Sequence, residues 1–209
     1  MTRRHDRIAF WKTIAAAALL APVLAGCQPT GVLDPAALAA AKSVGVLPGV
    51  GAPGTDGSGA GPMEAGLLIT ALVDLQRFDA VQGPAAIRKA ADAKKDALWD
   101  PALQGQIAHD LGIDLLAVSE VLEYRFEKKY RSSSAVVTKA LWTETTHFVT
   151  TTLRLIRPKD GALVYTGTGR GESKDGYGPA VLAANAQAML ELKAFLQKPQ
   201  PKDNGKQPG

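Results

Sequence analysis

The stretch that decides the fold is Ala108-His109-Asp110-Leu111-Gly112-Ile113-Asp114-Leu115-Leu116-Ala117-Val118. Upstream of it, Asp100-Pro101 supplies a cap and a first turn, and Leu103, Ile107 and Leu111 recur every four residues, so a helix is expected up to Gly112. Glycine tolerates the left-handed conformation that ends such a helix. Ile113 to Val118 is then, apart from Asp114, apolar on both faces, as a central strand covered on both sides requires. Beyond it, Leu122, Tyr124 and Phe126 alternate with Glu123, Arg125 and Glu127, so one face of the same strand becomes wet. The sheet is expected to outrun its covering helices there.

On the N-terminal side, Val44-Gly45-Val46-Leu47, closed by Pro48-Gly49, reads as a buried first strand. A glycine-rich loop, 49–61, follows, and Pro62 sits where the first helical residue is expected. Leu67, Leu68, Ala71, Leu72 and Leu75 then share one helix face. Phe78-Asp79-Ala80-Val81 is a second short strand, and Gly83-Pro84 starts another helix.

On the C-terminal side, Lys128 to Ala140, with Ser132-Ser133-Ser134, is expected to be a basic loop. Leu141 to Ile156 is threonine-rich and favours strand. Pro158-Lys159-Asp160-Gly161 is a turn, and Leu163 to Gly167 returns as its hairpin partner. After a second glycine-rich loop, Pro179 opens a final helix that turns Leu182, Ala186, Met189 and Leu190 towards the core. The expected class is α/β (α+β): a single domain whose mixed sheet has early parallel crossovers and a late antiparallel hairpin, covered by helices.

The first 26 residues have a different character. Arg3, Arg4 and Arg7 precede an apolar run from Ile14 to Leu24, which is a secretory signal pattern. The run is short for a bilayer-spanning helix, which needs about 20 residues. It closes in Leu24-Ala25-Gly26-Cys27, which resembles the lipobox of bacterial lipoproteins. That resemblance implies that Cys27 is diacylglycerylated, exposed by cleavage and then N-acylated, for example with palmitate. Acylation at this level satisfies the two-chain requirement for stable anchoring. Gln28 in place of an aspartate implies, by the same resemblance, the outer membrane with the domain facing the periplasm. The domain plan is therefore 1–26 signal peptide, 27–43 lipidated tether, 44–197 folded domain and 198–209 disordered tail.

Composition narrows the function. The formal charge of +4 is concentrated at the start, where Arg3, Arg4, Arg7 and Lys12 face only Asp6, so the mature part carries about +1. This removes the bulk electrostatic case for binding nucleic acid. Cys27 is the single cysteine, so its acylation leaves no thiol for a disulfide or a metal. Hydrophobic content of 46% is enough for a real core.

From residue 44 to 197 the pattern resembles the periplasmic lipoprotein domain shared by the curli secretion protein CsgG and the penicillin-binding-protein activator LpoB, with related TolB N-terminal-like lipoproteins. The residues that carry it are Val44 to Pro48, Leu75-Gln76-Arg77-Phe78-Asp79-Ala80-Val81, Ala108 to Ala117, Asp160-Gly161-Ala162-Leu163-Val164-Tyr165 and the terminal helix. The glycine-rich end of the first strand and the 128–140 segment depart from it.

Candidate chemistry is sparse. Gly49-Val50-Gly51-Ala52-Pro53-Gly54 matches the dinucleotide fingerprint in spelling. However, further loop separates Gly54 from Pro62, and no acidic ribose partner stands at the right place. His109 and His147 lack the spacing of a zinc pair, and no Gly-x-Ser-x-Gly elbow is present. Glu120 with Glu123, and Glu64 with Asp74, show no spacing that singles out acid–base work. No catalytic residue, metal or cofactor is assigned. The surface singled out is Lys128, Lys129, Tyr130, Arg131 and Trp142, a basic and aromatic group suited to an anionic surface or an acidic partner.

The expectation is a non-catalytic, lipid-anchored envelope lipoprotein that acts as a periplasmic adaptor or as an assembly or activator factor. Its partners would be the membrane, through the anchor, and an envelope protein, with a homo-oligomer left open. The alternative is a subunit of an oligomeric CsgG-like secretion channel, against which Arg154 and the many threonines make a poor lipid-facing band.

Overall fold

The computed structural model describes residues 30–51, 60–91, 101–132 and 141–198. The stretch read as a signal peptide, Cys27 and most of the stretch read as a C-terminal tail lie outside the described residues. In chain order the elements are β1 (Gly31–Val32), α1 (Pro35–Ala40), β2 (Ser43–Val46), β3 (Val50–Gly51), α2 (Ala60–Val73), β4 (Ala80–Gln82) and α3 (Pro84–Ala91). They continue as α4 (Pro101–Leu111), β5 (Leu115–Ser132), β6 (Leu141–Arg157), β7 (Ala162–Ser173), α5 (Tyr177–Ala188) and α6 (Leu190–Leu196).

Among the described residues, one mixed sheet runs in the order β1-β7-β6-β5-β2-β4, with β3 also beside β5. β2 is parallel to β4 and to β5, as helical crossovers demand, whereas β5, β6 and β7 are joined antiparallel. The α/β expectation holds in class and in the order of its parallel and antiparallel halves.

The double-sided apolar stretch of β5 explains the layering. Leu115 and Ala117 pack with Leu68 and Leu72 of α2, Leu155 of β6 and Leu192 of α6. Leu116 points the other way, among Ile87 of α3 and Ile107 and Ala108 of α4. Farther along, Val121 joins Val149, Ala180, Val181 and Ala184 under α5. A bulge between Val121 and Glu123 shifts the pairing, so that Tyr124 faces α5 beside Val121.

Four expectations are corrected. Lys128 to Ser132, expected as the start of a basic loop, instead continue β5, paired to β6 as far as Ser132 and Leu141, and the rest of that expected loop, 133–140, lies outside the described residues. The second glycine-rich loop is largely strand, since β7 extends through Ser173. Its glycines allow a helix to lie on the backbone itself: a Cβ on Gly167, Gly169 or Gly171 would come within 2.0, 1.9 or 1.8 Å of the carbonyl oxygens of Ala188, Ala184 and Ala180. The final helix starts at Tyr177 and is two helices, broken at Met189, whose φ of −96° and ψ of 4° leave the α region. Of the four residues expected towards the core, Met189 is buried, whereas Leu182, Ala186 and Leu190 are exposed, because the face with Ala180, Ala184 and Ala188 is the one that lies on β7. The first helix after the glycine loop starts at Ala60, two residues before Pro62.

The segment read as a tether is also structured from Gly31 onward. β1 pairs antiparallel with β7, Gly31 opposite Thr166 and Val32 opposite Tyr165. Asp34 caps α1 by accepting from the Ala37 N–H at 2.9 Å. Arg157 ties that cap to the β6–β7 turn, reaching Asp34 at 2.8 Å and Asp160 at 2.7 Å. Arg77 donates to the Ala39 carbonyl at 2.5 Å.

Candidate interaction surface

Beyond Val121, β5 has no strand on its outer edge among the described residues, and β6 has none on its far edge before His147. Residues 127–132 and 141–146 therefore form a two-stranded ribbon that projects from the body of the sheet. Six paired residues span about 20 Å. Among the described residues no further strand pairs with either edge of the ribbon, and an open strand edge is a ready template for another strand.

The ribbon carries all five residues singled out in the sequence, and its pleat divides them. Tyr130 lies opposite Thr143, and Lys128 opposite Thr145, on the face that continues from Tyr124 and Phe126. Lys129 lies opposite Glu144, and Arg131 opposite Trp142, on the other face. The structure thus brings Lys129, Arg131 and Trp142 together and sets Lys128 and Tyr130 behind them. Tyr130 is 81% exposed and Trp142 50%.

The Lys129–Arg131–Trp142 face is cationic at its rim. Arg131 approaches Glu144 at 3.2 Å, and Lys174, from beyond the end of β7, contacts the same carboxylate. The Lys174 bond, more than Arg131, holds the Glu144 carboxyl below its usual range. Nearer the body, Glu123 gathers Arg125 at 2.5 Å, Thr150 at 2.9 Å and Arg170 at 3.3 Å. The Arg125 bond and then the Thr150 bond hold the Glu123 carboxyl below its usual range. Arg125 also stacks over Phe148, 4.2 Å from the ring centre.

The opposite face holds an aromatic group that the sequence reading missed. Tyr124 stacks on Tyr177 at 3.7 Å, His147 meets Tyr177 edge-on at 4.6 Å, and Phe126 lies 6.4 Å from His147. Lys128 sits over Phe126 at 5.4 Å. Tyr177 opens α5, so this cluster fastens the root of the ribbon to the start of that helix. The signal available in the sequence was the alternation Tyr124, Phe126, Lys128, Tyr130.

The remaining candidates lie apart from one another. His109 is on α4 with its side chain 90% exposed, 3.4 Å from Asp110, whereas His147 belongs to the aromatic cluster on β6. No group of three His, Cys, Asp or Glu side chains positioned to hold a metal occurs among the described residues. Gly51 ends β3, and the rest of the fingerprint-like loop lies outside the described residues. A cleft of about 620 Å³ between α1, α4 and the β6–β7 turn is lined by Ala37, Ala40, Ala108, His109, Arg157 and Lys159. It opens at the end of the sheet opposite the ribbon.

This architecture is that of a known class of domain. A point variant of PelC from Paraburkholderia phytofirmans, solved as a dodecamer, superposes with a TM-score of 0.50 at 19% identity, covering 80% of this chain and 95% of that one. Lipoprotein GNA1162 from Neisseria meningitidis gives 0.46 at 17% identity, covering 63% of this chain and 82% of that one. The LpoB C-terminal domain from Salmonella enterica gives 0.42 at 18% identity, covering 62% and 82%. The PelC likeness establishes a shared fold. No family model matches the sequence, and no curated protein matches it.

Proposed function

We propose that this chain is a non-catalytic lipoprotein of the cell envelope, anchored in the outer membrane through Cys27, whose periplasmic domain docks an envelope protein as an adaptor or as an assembly or activator factor. The observation that carries this reading is the projecting ribbon, which presents Lys129, Arg131 and Trp142 together on a two-stranded element with open backbone edges. Such an element offers two modes of recognition at once. A partner strand adds to the edge through main-chain hydrogen bonds, and side chains of the ribbon select among partners by charge and ring contact. The chemistry favours an acidic, partly extended segment.

The test is a pull-down from gently solubilised envelopes with full-length protein, comparing wild type, Arg131→Glu and Trp142→Ala. A single stoichiometric partner lost in both variants, with unchanged thermal unfolding, supports the reading. Retention of every captured protein by both variants rejects it.

A ring of copies of this chain is the second reading. It is favoured by the open edge of β5 from Leu122 to Ser132, and PelC, whose fold is shared, is a dodecamer. Native mass spectrometry of the acylated protein distinguishes the two: a closed ring gives one high-order mass, and an adaptor gives a small species that gains mass only with its partner.

A further inference from the structure

The chain between the proposed anchor and the fold is very short. Cys27 stands four residues before Gly31, where β1 begins. An extended chain spans at most about 3.6 Å per residue, so the acylated cysteine lies within about 14 Å of the Gly31 backbone. β1 cannot lengthen this reach by peeling away cheaply. It is paired to β7, its continuation Leu33 and Asp34 both donate to the Val164 carbonyl, and α1 is fastened by Arg157 and Arg77.

A bilayer held that close to Gly31 cannot also lie across the end of the ribbon. Gly31 is level with Thr166 on β7 and, through it, with Arg154 on β6. Trp142 lies twelve residues farther along β6. At about 3.3 Å per residue that is roughly 40 Å, nearly three times the reach of the tether. Standing the ribbon on the membrane would drive Lys128, Lys129 and Arg131 deep into hydrocarbon, where unpaired cations are expensive.

The β1 edge of the sheet, with α6 over it, is the surface that lies at the tether itself. A Cβ on Gly31 would lie 2.6 Å from Glu191 Oε2, so the first turn of α6 sits directly above the start of β1, with Glu191 folded back onto it. Leu192 is buried in the core, and Leu190, nearly opposite it around the helix, is 66% exposed. Ala194 is one turn farther along the same side and also exposed, with Lys193 beside it and Lys198 just past the helix. An exposed leucine bordered by lysines is the composition of an interfacial contact.

We infer that the β1–α6 edge, with Leu190 at its centre, rests on the surface of the bilayer that holds Cys27, leaving the ribbon parallel to the membrane and free in the periplasm. This rests on the anchoring part of the proposed function and adds the orientation of the domain.

The test uses full-length acylated protein in phosphatidylethanolamine–phosphatidylglycerol vesicles. With Cys27 acylated, the introduced thiol is the single one in the chain, so Leu190→Cys and Tyr130→Cys each take one environment-sensitive fluorophore. The Leu190→Cys label is expected to shift its emission to the blue on vesicles and to be quenched by headgroup-proximal spin-labelled lipid several-fold more than the Tyr130→Cys label. A solvent-like label at Leu190→Cys, or stronger quenching at Tyr130→Cys, overturns the orientation while leaving the anchor intact. Absence of any lipid mass on Cys27 overturns both.

Discussion

Ser119 on β5 donates a hydrogen bond to the carboxylate of Glu64 on α2, and neither side chain is exposed to solvent. Thr151 of β6 donates to the Asn185 side-chain carbonyl of α5 at 3.2 Å in the same interior region. A polar seam thus joins both helices of this layer to the two central strands. Burial pushes the Glu64 carboxyl up to about 7, against smaller opposing contributions from Ser119 and Asn185.

Stability should therefore fall as pH rises from about 4.5 to about 7 and level off above that. In the unfolded chain Glu64 ionises near the ordinary glutamate value of 4.5, and in the fold it does so at about 7. Below both values the group is protonated in either state and costs nothing. Between them the unfolded state alone gives up its proton, and above pH 7 the full penalty of about 3 kcal/mol is present. Urea unfolding midpoints measured from pH 5 to pH 8 are expected to decline, and Glu64→Gln to flatten the decline. An unchanged slope in the variant would contradict the assignment.

The track of α5 on bare β7 backbone predicts a sharp contrast among glycines. Gly169→Ala places a Cβ 1.9 Å from the Ala184 carbonyl oxygen, so the helix must lift, at a cost of about 2–3 kcal/mol. Gly66→Ala, on the exposed side of α2 with nothing within 4 Å, is expected to stabilise by about 0.5–1 kcal/mol. Thermal melts of the two variants measure both effects.

Asp114 closes the start of β2 onto the start of β5. It accepts from the Lys42 N–H at 2.8 Å, the Ser43 N–H at 3.0 Å and the Ser43 hydroxyl at 3.0 Å. Removing a carboxylate with these bonds is expected to cost about 2–3 kcal/mol in Asp114→Ala. Denaturant unfolding checks this, and a loss below about 0.5 kcal/mol would mean that water replaces the carboxylate freely.

The parallel half of the fold was legible because physics writes it in apolar residues. Ile113 to Val118 must be covered on both sides, and the helix ending at Gly112, whose φ is 61°, announces it. The ribbon was half legible. Lys128 to Ser132 has only Tyr130 among charged and polar residues because both faces are wet, so the alternation set by Tyr124 and Phe126 fades there. Gly167, Gly169 and Gly171 misled for the opposite reason. Glycine usually signals a turn, and here it serves a close approach by α5 that becomes visible only in three dimensions. The five residues of the surface were found by charge and aromaticity, but the hairpin register that puts Trp142 opposite Arg131, and the bulge after Val121 that sets which face of the ribbon continues the core side, left no mark in the sequence.

The central claim is that the ribbon of an anchored domain meets another envelope protein, and photocrosslinking in unbroken cells tests it most directly. A photoreactive amino acid at Trp142, in full-length protein expressed with its own N-terminus, is irradiated in living cells. The account predicts one heterologous adduct of defined mass, lost when Lys129 and Arg131 are both changed to glutamate. Adducts to this chain alone, unaffected by the charge reversal, would contradict it.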